Sequence, residues 1–456
     1  MLRSTTTILL AFTLAGCTTL GPAYNAPTVS AAMRYGASAA GAKTITAQVQ
    51  WWRAFNDAAL NRLIDAGLAQ NLTVAQAVER VVAARESAVS TGLNNLPSGS
   101  TMAEITASGS SASNTVQHSQ SATASLNWEI DLFGGLAKQR EAARATLDAA
   151  IEEANGARLS LIGEIARNFI QARGYQDRLH IARSTLEAQN KTLTVTRQQN
   201  EAGLTSNLDL AQLQGDVSTT AAAIPTLEIA LSEAVHRLGV LLGQEPKSLQ
   251  GLFSTSAQIP RLSASVSPGI PADLMRDRPD IRQAERQLAA ATADIGVAEA
   301  DLYPSLTLSG NLSIASMTTW SIGPALSLPV FNRGQLKQTV LIEESQARQS
   351  YLAYKQVVLE AVEEVENALV GLNRQQTRRN QLASSYTSYS TATDLAEERY
   401  AAGETTLLTL LTAQRSLYSA RDSLAQSTVD VGLQYISLSL ALGGGWDMSS
   451  RSAGTK

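Results

Sequence analysis

Two hydrophobic rhythms alternate along the chain. From Ser305, the residues Leu306, Leu308, Gly310, Leu312 and Ile314 fall on one side of an extended backbone, and Ser305, Thr307, Ser309, Asn311 and Ser313 fall on the other. A period of two predicts a strand. Its partner run sets Trp320, Ile322, Leu326, Leu328 and Val330 against Ser321, Gly323, Ala325 and Ser327. Earlier, Leu126, Trp128, Ile130 and Leu132 alternate with Ser125, Asn127, Glu129 and Asp131, and a weaker strand rich in Ser and Gly is predicted near 102–112.

The second rhythm is helical. After Leu136, the residues Leu147, Ile151, Ala154, Leu161, Ile165 and Phe169 recur at steps of three and four or their sums, a coiled-coil-like seam interrupted by Arg158. The pattern predicts a helix from Leu136 to near Asn200, on the order of 90 Å at the usual rise per residue. A similar run extends from Gln335 to Tyr400, and neither run contains Pro. Return helices are predicted at about 205–242 and 404–442, after short turns at Gly203 and Gly403, where glycine suits a positive-φ cap. Pro225 should kink or break the first of them. A shorter helix precedes each strand pair, at about 58–95 and 273–302.

These elements form a tandem repeat. Gln76-Ala77, Ala83-Ala84 and Pro97-Ser98 reappear 207 residues later as Gln283-Ala284, Ala290-Ala291 and Pro304-Ser305. Gly135, Lys138-Gln139, Glu164 and Asn168 return 199 later as Gly334, Lys337-Gln338, Glu363 and Asn367. Ala202-Gly203, Thr205, Leu208, Leu210 and Gln214 return 200 later as Ala402-Gly403, Thr405, Leu408, Leu410 and Gln414. The order is kept and the offset barely moves, so each copy carries one plan: helix, two strands, two long helices. The expected division is 58–243 for the first copy and 273–443 for the second, with a connector at 244–272 and a tail at 444–456.

A strand pattern with one apolar and one polar face fits either a soluble sheet on a core or a barrel wall between lipid and water. The remaining sequence is helix that needs its own apolar stripe for other helices, so the soluble sheet lacks a partner. Four strands fall short of the roughly eight that close a barrel. Closure therefore needs several chains, and the pattern alone allows two, three or four.

The N-terminus adds an address. Residues 1–16 read as a secretory signal with one Arg ahead of the apolar run Ile8 to Ala15. They end in Leu14-Ala15-Gly16-Cys17, which resembles a bacterial lipobox and implies lipid attached to the thiol of Cys17. The alternative is an ordinary signal with a chance cysteine. Cys17 is the single cysteine, which excludes an intrachain disulfide. Thr18 follows where Asp would argue for inner-membrane retention, pointing outward. No later stretch has the apolar length of a transmembrane helix, so any span must be β-barrel.

Composition narrows the chemistry further. Aromatics are sparse at 5%, which suits Ala- and Leu-rich helices packed side by side better than a large globular core. The formal charge of -4 offers no basic face for nucleic acid. His118, His180 and His236 lie far apart, so no metal site or other cofactor is expected. Glu152-Glu153, Glu343-Glu344 and Glu363-Glu364-Glu366 read as helix surface, since no nucleophile or electrophile motif accompanies them, and the chain is not expected to be an enzyme.

Several stretches carry a family resemblance: Cys17 through Tyr24, Trp52-Arg-Ala-Phe55 with Asp57 and Leu60, Trp128-Glu-Ile-Asp-Leu-Phe-Gly134, Arg278-Pro-Asp-Ile-Arg282 with Ala284-Glu285 and Tyr303-Pro304, and Leu328-Pro-Val-Phe-Asn-Arg-Gly334. Together they resemble the TolC-type outer membrane factors, in the lipoprotein, NodT-like branch of RND efflux systems, over nearly the whole chain. The resemblance implies a mainly α fold with β: a homotrimer whose twelve strands form a transmembrane barrel, continued by a long periplasmic α-helical barrel with an equatorial belt. The lipidated segment 17–57 and the connector 244–272 would contribute to the belt. The implied function is the outer-membrane channel of a tripartite efflux pump in a Gram-negative bacterium, a passive gated duct for drugs or other small molecules. Implied partners are outer-membrane lipid, a periplasmic adaptor (membrane fusion) protein and an inner-membrane RND-type pump.

The resemblance also assigns residues. The turns Gly203-Leu204-Thr205-Ser206 and Gly403-Glu404-Thr405-Thr406 would form the adaptor-docking tip. Tyr400 matches the gate tyrosine, Asp209 an acid able to bond to it in the closed state, and Leu408 an apolar residue that narrows the pore. Helix packing is the alternative role for Leu408. Thr409 and Thr412 stand where relatives often carry aspartate rings, so the gate is expected to hold less negative charge, with Glu404 able to restore some nearer the mouth. Two other functions compete: a non-conducting outer-membrane lipoprotein scaffold, and the exit duct of a type I protein secretion system.

Overall fold

The computed structural model describes residues 19–27, 50–110, 115–255, 258–260, 262 and 278–445. The leader 1–16, Cys17 and the tail from 446 onward lie outside the described residues. Two short helices, α1 (Ala58–Gln70) and α2 (Leu72–Leu93), lead into strands β1 (Ser98–Ser110) and β2 (Thr115–Ile130). The long helices α3 (Gly135–Glu201) and α4 (Asn207–Leu241) complete the first copy. The second runs through α5 (Pro279–Ala300), β3 (Ser305–Ile314), β4 (Thr318–Ser327), α6 (Arg333–Ala401) and α7 (Leu407–Ala441). At 67 and 69 residues, α3 and α6 match the helical runs expected from periodicity.

Two expectations about helix continuity need correction. The helix expected over 58–95 is two helices, because Asn71 leaves the helical region at ψ 127°. Its Oδ1 accepts from the Val74 amide at 2.9 Å, and its Nδ2 donates to the Leu241 carbonyl at 2.8 Å. One buried side chain thus caps the start of α2 and serves the end of α4. Conversely, Pro225 does not break α4, which continues through it to Leu241. Neighbours on both sides of the proline, Ile224 and Leu227, pack against Leu179 and Ala182 of α3, and that tertiary contact holds the segment helical.

The chain divides into two compact units, each drawing on both copies. The first comprises residues 1–29, 77–154 and 279–358, and contains the sheet. Its strands form one antiparallel sheet in the order β1-β2-β3-β4, so the two copies join through the β2–β3 pair. The rest of this unit packs through small residues: Ala142, Ala145 and Ala149 of α3 are buried, as are Ala284, Ala289, Ala293 and Ala298 of α5. Contrary to the helix-surface reading of Glu152-Glu153, Glu152 is buried and pairs with Arg282 at 2.8 Å, both side chains largely shielded from water, because it faces α5; Glu153 stays partly exposed.

The second unit, residues 30–76, 155–278 and 359–456, holds the larger core. Trp51, Leu60, Ile64, Ile165, Phe169, Leu238 and Ile436 are almost fully buried there. Asp57 caps α1 by accepting from the amides of Ala59 and Leu60 at 2.8 and 3.1 Å. The Trp51 indole donates to the Gly444 carbonyl at 3.1 Å, and the Tyr435 hydroxyl to the Trp51 carbonyl at 3.2 Å. Helices α3 and α7 pack antiparallel along a seam that two glycines permit. A Cβ on Gly163 would lie 2.4 Å from Leu440 Cδ1, and one on Gly174 would lie 2.3 Å from Val429 Cγ2. Both pairs step by eleven residues, three helical turns, so the register is shared. Further along, Arg178 meets both oxygens of Asp422 at 2.7 and 3.0 Å, a bidentate fork.

Arg278 explains the most specific motif. Its Nη1 donates to the Ala441 carbonyl in the last turn of α7 at 2.8 Å, and its Nη2 pairs with Glu364 at 2.8 Å. A buried cation thus sits at the negative end of a long helix, where its charge is most favourable.

Candidate functional site

Two places carry the sequence-based expectations: the sheet in the first unit and the helix-hairpin ends in the second. In the sheet, cross-strand partners share a face. One face carries the rungs Ile130/Leu306/Leu326, Trp128/Leu308/Pro324, Leu126/Gly310/Ile322 and Ala124/Leu312/Trp320. The other carries Asn127/Ser309/Gly323, Ser125/Asn311/Ser321 and Thr123/Ser313/Thr319. The alternation read strand by strand is therefore in register across the sheet, because a slip of one residue would have mixed the faces. No described residue of the four strands is buried. Trp320 is 76% exposed, Ile105 77% and Ile322 62%, on the face a soluble sheet would cover. Strands β1 and β4 each have a neighbour on one side only. An isolated sheet of this kind leaves apolar surface and unpaired backbone in water, both unfavourable.

At the first hairpin, Gly203 adopts φ +72° with open space around it, so the conformation and not crowding calls for glycine. The Leu204 amide donates to Gln199 O at 2.8 Å, closing the turn. Ser206 and Asp209 then form a reciprocal cap. Ser206 Oγ accepts from the Asp209 amide at 3.2 Å, and Asp209 Oδ2 accepts from the Ser206 hydroxyl at 2.8 Å. Thr205 donates to the Thr196 carbonyl at 3.3 Å. Leu204 and Leu208 project into solvent, 76% and 66% exposed.

The second hairpin repeats this geometry with different chemistry. Gly403 has φ +76°, and the Glu404 amide donates to Arg399 O at 2.8 Å. Thr406 and Thr409 share a hydroxyl hydrogen bond at 3.1 Å where the first hairpin has Ser and Asp. Thr412 donates to the Leu408 carbonyl at 2.7 Å. Leu408, Thr409 and Thr412 are all exposed, and Leu408 and Thr412 lie one turn apart on the same side of α7. Leu407, Leu410 and Leu411 instead turn inward, forming a cluster with Leu213 and Ala396 against which Tyr400 packs. Leu408 takes no part in that cluster. Glu404 pairs with Arg399 at 3.4 Å, so its negative charge is offset locally.

The tyrosine contact differs from the expectation. Tyr400 donates to Gln199 Oε1 at 3.2 Å, joining the ends of α6 and α3, while Asp209 is held in its own cap. Burial raises the Tyr400 pKa, with the nearby Asp209 charge adding to the effect. The hydroxyl therefore stays protonated and available as a donor, near Asp209 but bonded elsewhere. Gln199 was legible in one way: it lies 201 residues before Tyr400, a single residue from the 200-residue repeat offset. The Ser206-x-x-Asp209 cap also has a sequence signature.

Among the described residues, no group of His, Cys, Asp or Glu could hold a metal ion, and no helix is long and apolar enough to cross a membrane. The family described as "Outer membrane efflux protein" matches residues 63–244 and again 270–444. The chain is 36% identical over 438 residues to nodulation protein T of Rhizobium leguminosarum bv. viciae, covering 94% of this chain and 90% of that protein. It is 32% identical over 424 residues to the pyoverdine export outer membrane protein OpmQ of Pseudomonas aeruginosa, covering 87% of each. Its structure is similar to that of the outer-membrane channel OprN, with a TM-score of 0.86 and 32% identity over 94% of this chain and 99% of that one.

Proposed function

The chain belongs to the outer membrane efflux protein family and is the outer-membrane channel of an efflux pump with a TolC-like fold; from that premise we propose that three copies pool their strands into one twelve-stranded wall. One observation carries this reading: the sheet has an apolar face in register, an opposed Ser/Asn/Thr face, and two edges that each lack a partner. Neighbouring copies would pair β4 with β1 and close the barrel, removing both edges. The Leu/Trp/Ile face would meet lipid and the polar face would line water. A non-conducting scaffold has no use for such a division.

In this reading Cys17 carries lipid, and the helices continue the duct through the periplasm. The turns at Gly203, Leu204, Thr205 and Ser206 and at Gly403, Thr405 and Thr406 meet a periplasmic adaptor, which couples the duct to an inner-membrane RND-type pump. Exposed Leu204 and Leu208 give that end an apolar contact surface. Conduction is passive, and the pump supplies the energy. The gate is set by Tyr400, Leu408, Thr409 and Thr412, with Asp209 and Glu404 engaged locally.

The test uses full-length protein extracted from outer membranes. An unheated sample should migrate as an SDS-resistant oligomer that collapses on boiling, and a deletion strain should regain resistance to pump substrates when the gene is restored. A monomer in lipid, with its Leu/Trp face inaccessible to lipid-borne labels, would overturn the wall.

A further inference from the structure

A second surface lies where the sheet gives way to helices. The segment Thr19–Pro27 is tied down at several points. The Leu20 amide donates to Phe133 O at 3.1 Å, and Thr19 packs on Gly134, where a Cβ would lie 2.8 Å from the threonine Cα. Gly21 approaches Gly296 so closely that a Cβ on Gly21 would lie 2.4 Å from Gly296 Cα. Lys138 donates to the Pro22 carbonyl at 3.3 Å, and the Tyr24 hydroxyl to Glu285 Oε1 at 2.9 Å. Beside this segment opens a groove of about 500 Å³, whose lining includes Tyr24, Arg140, Arg144, Asp148 and Arg286.

The charges in the groove are unevenly satisfied. Glu141, also in the lining, is taken by Lys138 at 2.8 Å. Arg286 pairs with Glu285 and lies 3.9 Å from Asp148, with its guanidinium 5.9 Å from the Tyr24 ring centre. Arg140 and Arg144, one turn apart on α3, have no ion-pair partner among the described residues. Two adjacent guanidinium groups facing one cleft form a fork for a phosphate.

Depth identifies the phosphate. The last apolar rung is Ile130/Leu306/Leu326, and exposed apolar side chains continue past it at Leu132, Leu328, Val330 and Phe331 as far as the start of α3 at Gly135, which sets the hydrocarbon edge there. At the same level Phe133 and Tyr303 stack at 4.9 Å, and tyrosine is a residue enriched at membrane–water boundaries. Arg140 stands about 7.5 Å and Arg144 about 13.5 Å along the helix from its start. A headgroup layer extends about 5–8 Å beyond the hydrocarbon on each side. Arg140 therefore falls at headgroup depth, and Arg144 just below it, within reach of a side chain extended upward. The segment Thr19–Pro27 continues from Cys17, two residues before Thr19, which places the groove on the side from which a lipid anchor would enter.

We propose that this groove binds the headgroup phosphate of an anionic phospholipid in the periplasmic leaflet, clamped by Arg140 and Arg144. The proposal rests on the sheet being the membrane-embedded wall. It adds a specific lipid contact that fixes how deep the wall sits.

The experiment places full-length protein from outer membranes in nanodiscs of phosphatidylcholine with a minor fraction of phosphatidylglycerol. Retained lipid is counted by native mass spectrometry after partial delipidation. The wild type should retain phosphatidylglycerol selectively, and less so at high salt. Arg140→Gln with Arg144→Gln should lower that selectivity by about fivefold per arginine, roughly twenty-five-fold together. Lys191→Gln, a cation elsewhere on α3, should leave it unchanged. Absence of selectivity in the wild type overturns the proposal whatever the variants do, and so does equal retention by the wild type and a properly assembled Gln variant. Displacement of the lipid by millimolar inorganic phosphate at constant ionic strength also overturns it, by assigning a free-anion site. Protein that fails to enter the bilayer would instead defeat the channel wall itself, so the two failures are distinguishable.

Discussion

Removing the Tyr400 hydroxyl should loosen the resting duct, and through Gln199 rather than Asp209. The Tyr400–Gln199 hydrogen bond spans 3.2 Å between the ends of α6 and α3, and so ties the second hairpin to the first. Any opening that separates the hairpins must break it. A neutral hydrogen bond contributes about 0.5–1.5 kcal/mol net, a factor of about 2–13 in an opening equilibrium. If three copies open together, the shift is about 1.5–4.5 kcal/mol. Tyr400→Phe keeps the ring against the Leu213/Leu407/Leu411 cluster, so packing should be preserved and the hydroxyl effect isolated. The assay is single-channel recording of purified protein in planar bilayers, in a cycle with Gln199→Met and Asp209→Asn. Tyr400→Phe and Gln199→Met should each raise open probability and be strongly non-additive, while Asp209→Asn should add independently by weakening the α4 cap. Coupling that runs mainly between Tyr400 and Asp209 would refute this reasoning, as would unchanged open probability in both Tyr400→Phe and Gln199→Met.

Four further outcomes are expected. Leu312→Arg on the lipid-facing side should cost about 2–4 kcal/mol near the bilayer centre and lower the yield of SDS-resistant oligomer, whereas Asn311→Lys on the opposite face should be tolerated. Arg278→Ala leaves the Ala441 carbonyl without its charged donor and should lower thermal stability by about 1.5–3 kcal/mol, with Arg278→Lys between the two because it cannot span Ala441 and Glu364 together. Because Thr409 and Thr412 carry no charge and Glu404 is paired, trivalent cations should block conductance weakly; strong micromolar block would contradict this unless Glu404→Gln abolished it. Burial raises the Asp294 pKa, with Glu343 adding to it, so at neutral pH the charged carboxylate opposes folding. A raised acid pKa contributes stability below the unfolded value and loses it as pH rises through the folded one. Asp294→Asn should therefore melt above wild type at neutral pH, with the difference shrinking toward acid, followed by circular dichroism.

Much of the architecture lies in local spacing. The period-two runs at Ser305–Ile314 and around Trp128 required strands with one wet and one dry face, whatever those faces met. The seam from Leu147 to Phe169 required a long helix, and the 200-residue offset required two of everything. The shortage of strands in one chain by itself points to pooling between chains. These features depend on which neighbours a residue has along the chain, and so a sequence displays them directly.

Contacts between distant elements depend on a different quantity. On a helix, a shift of one residue moves a side chain by about 1.5 Å along the axis and about 100° around it. Sequence alone therefore cannot say whether Tyr400 on α6 meets Gln199 or Asn200 of α3 or Asp209 of α4, and only the packing of these helices selects Gln199. The same holds for Asn71, whose tie to Leu241 divides what reads as one helix, and for Arg278, whose partners Glu364 and Ala441 lie 86 and 163 residues away. Amphipathic period is a property of one segment, and so the sequence alone determined the strands, the rods and the repeat. Register between segments is set by the glycines at 163 and 174 and the side chains that meet them, and that only the tertiary structure decided.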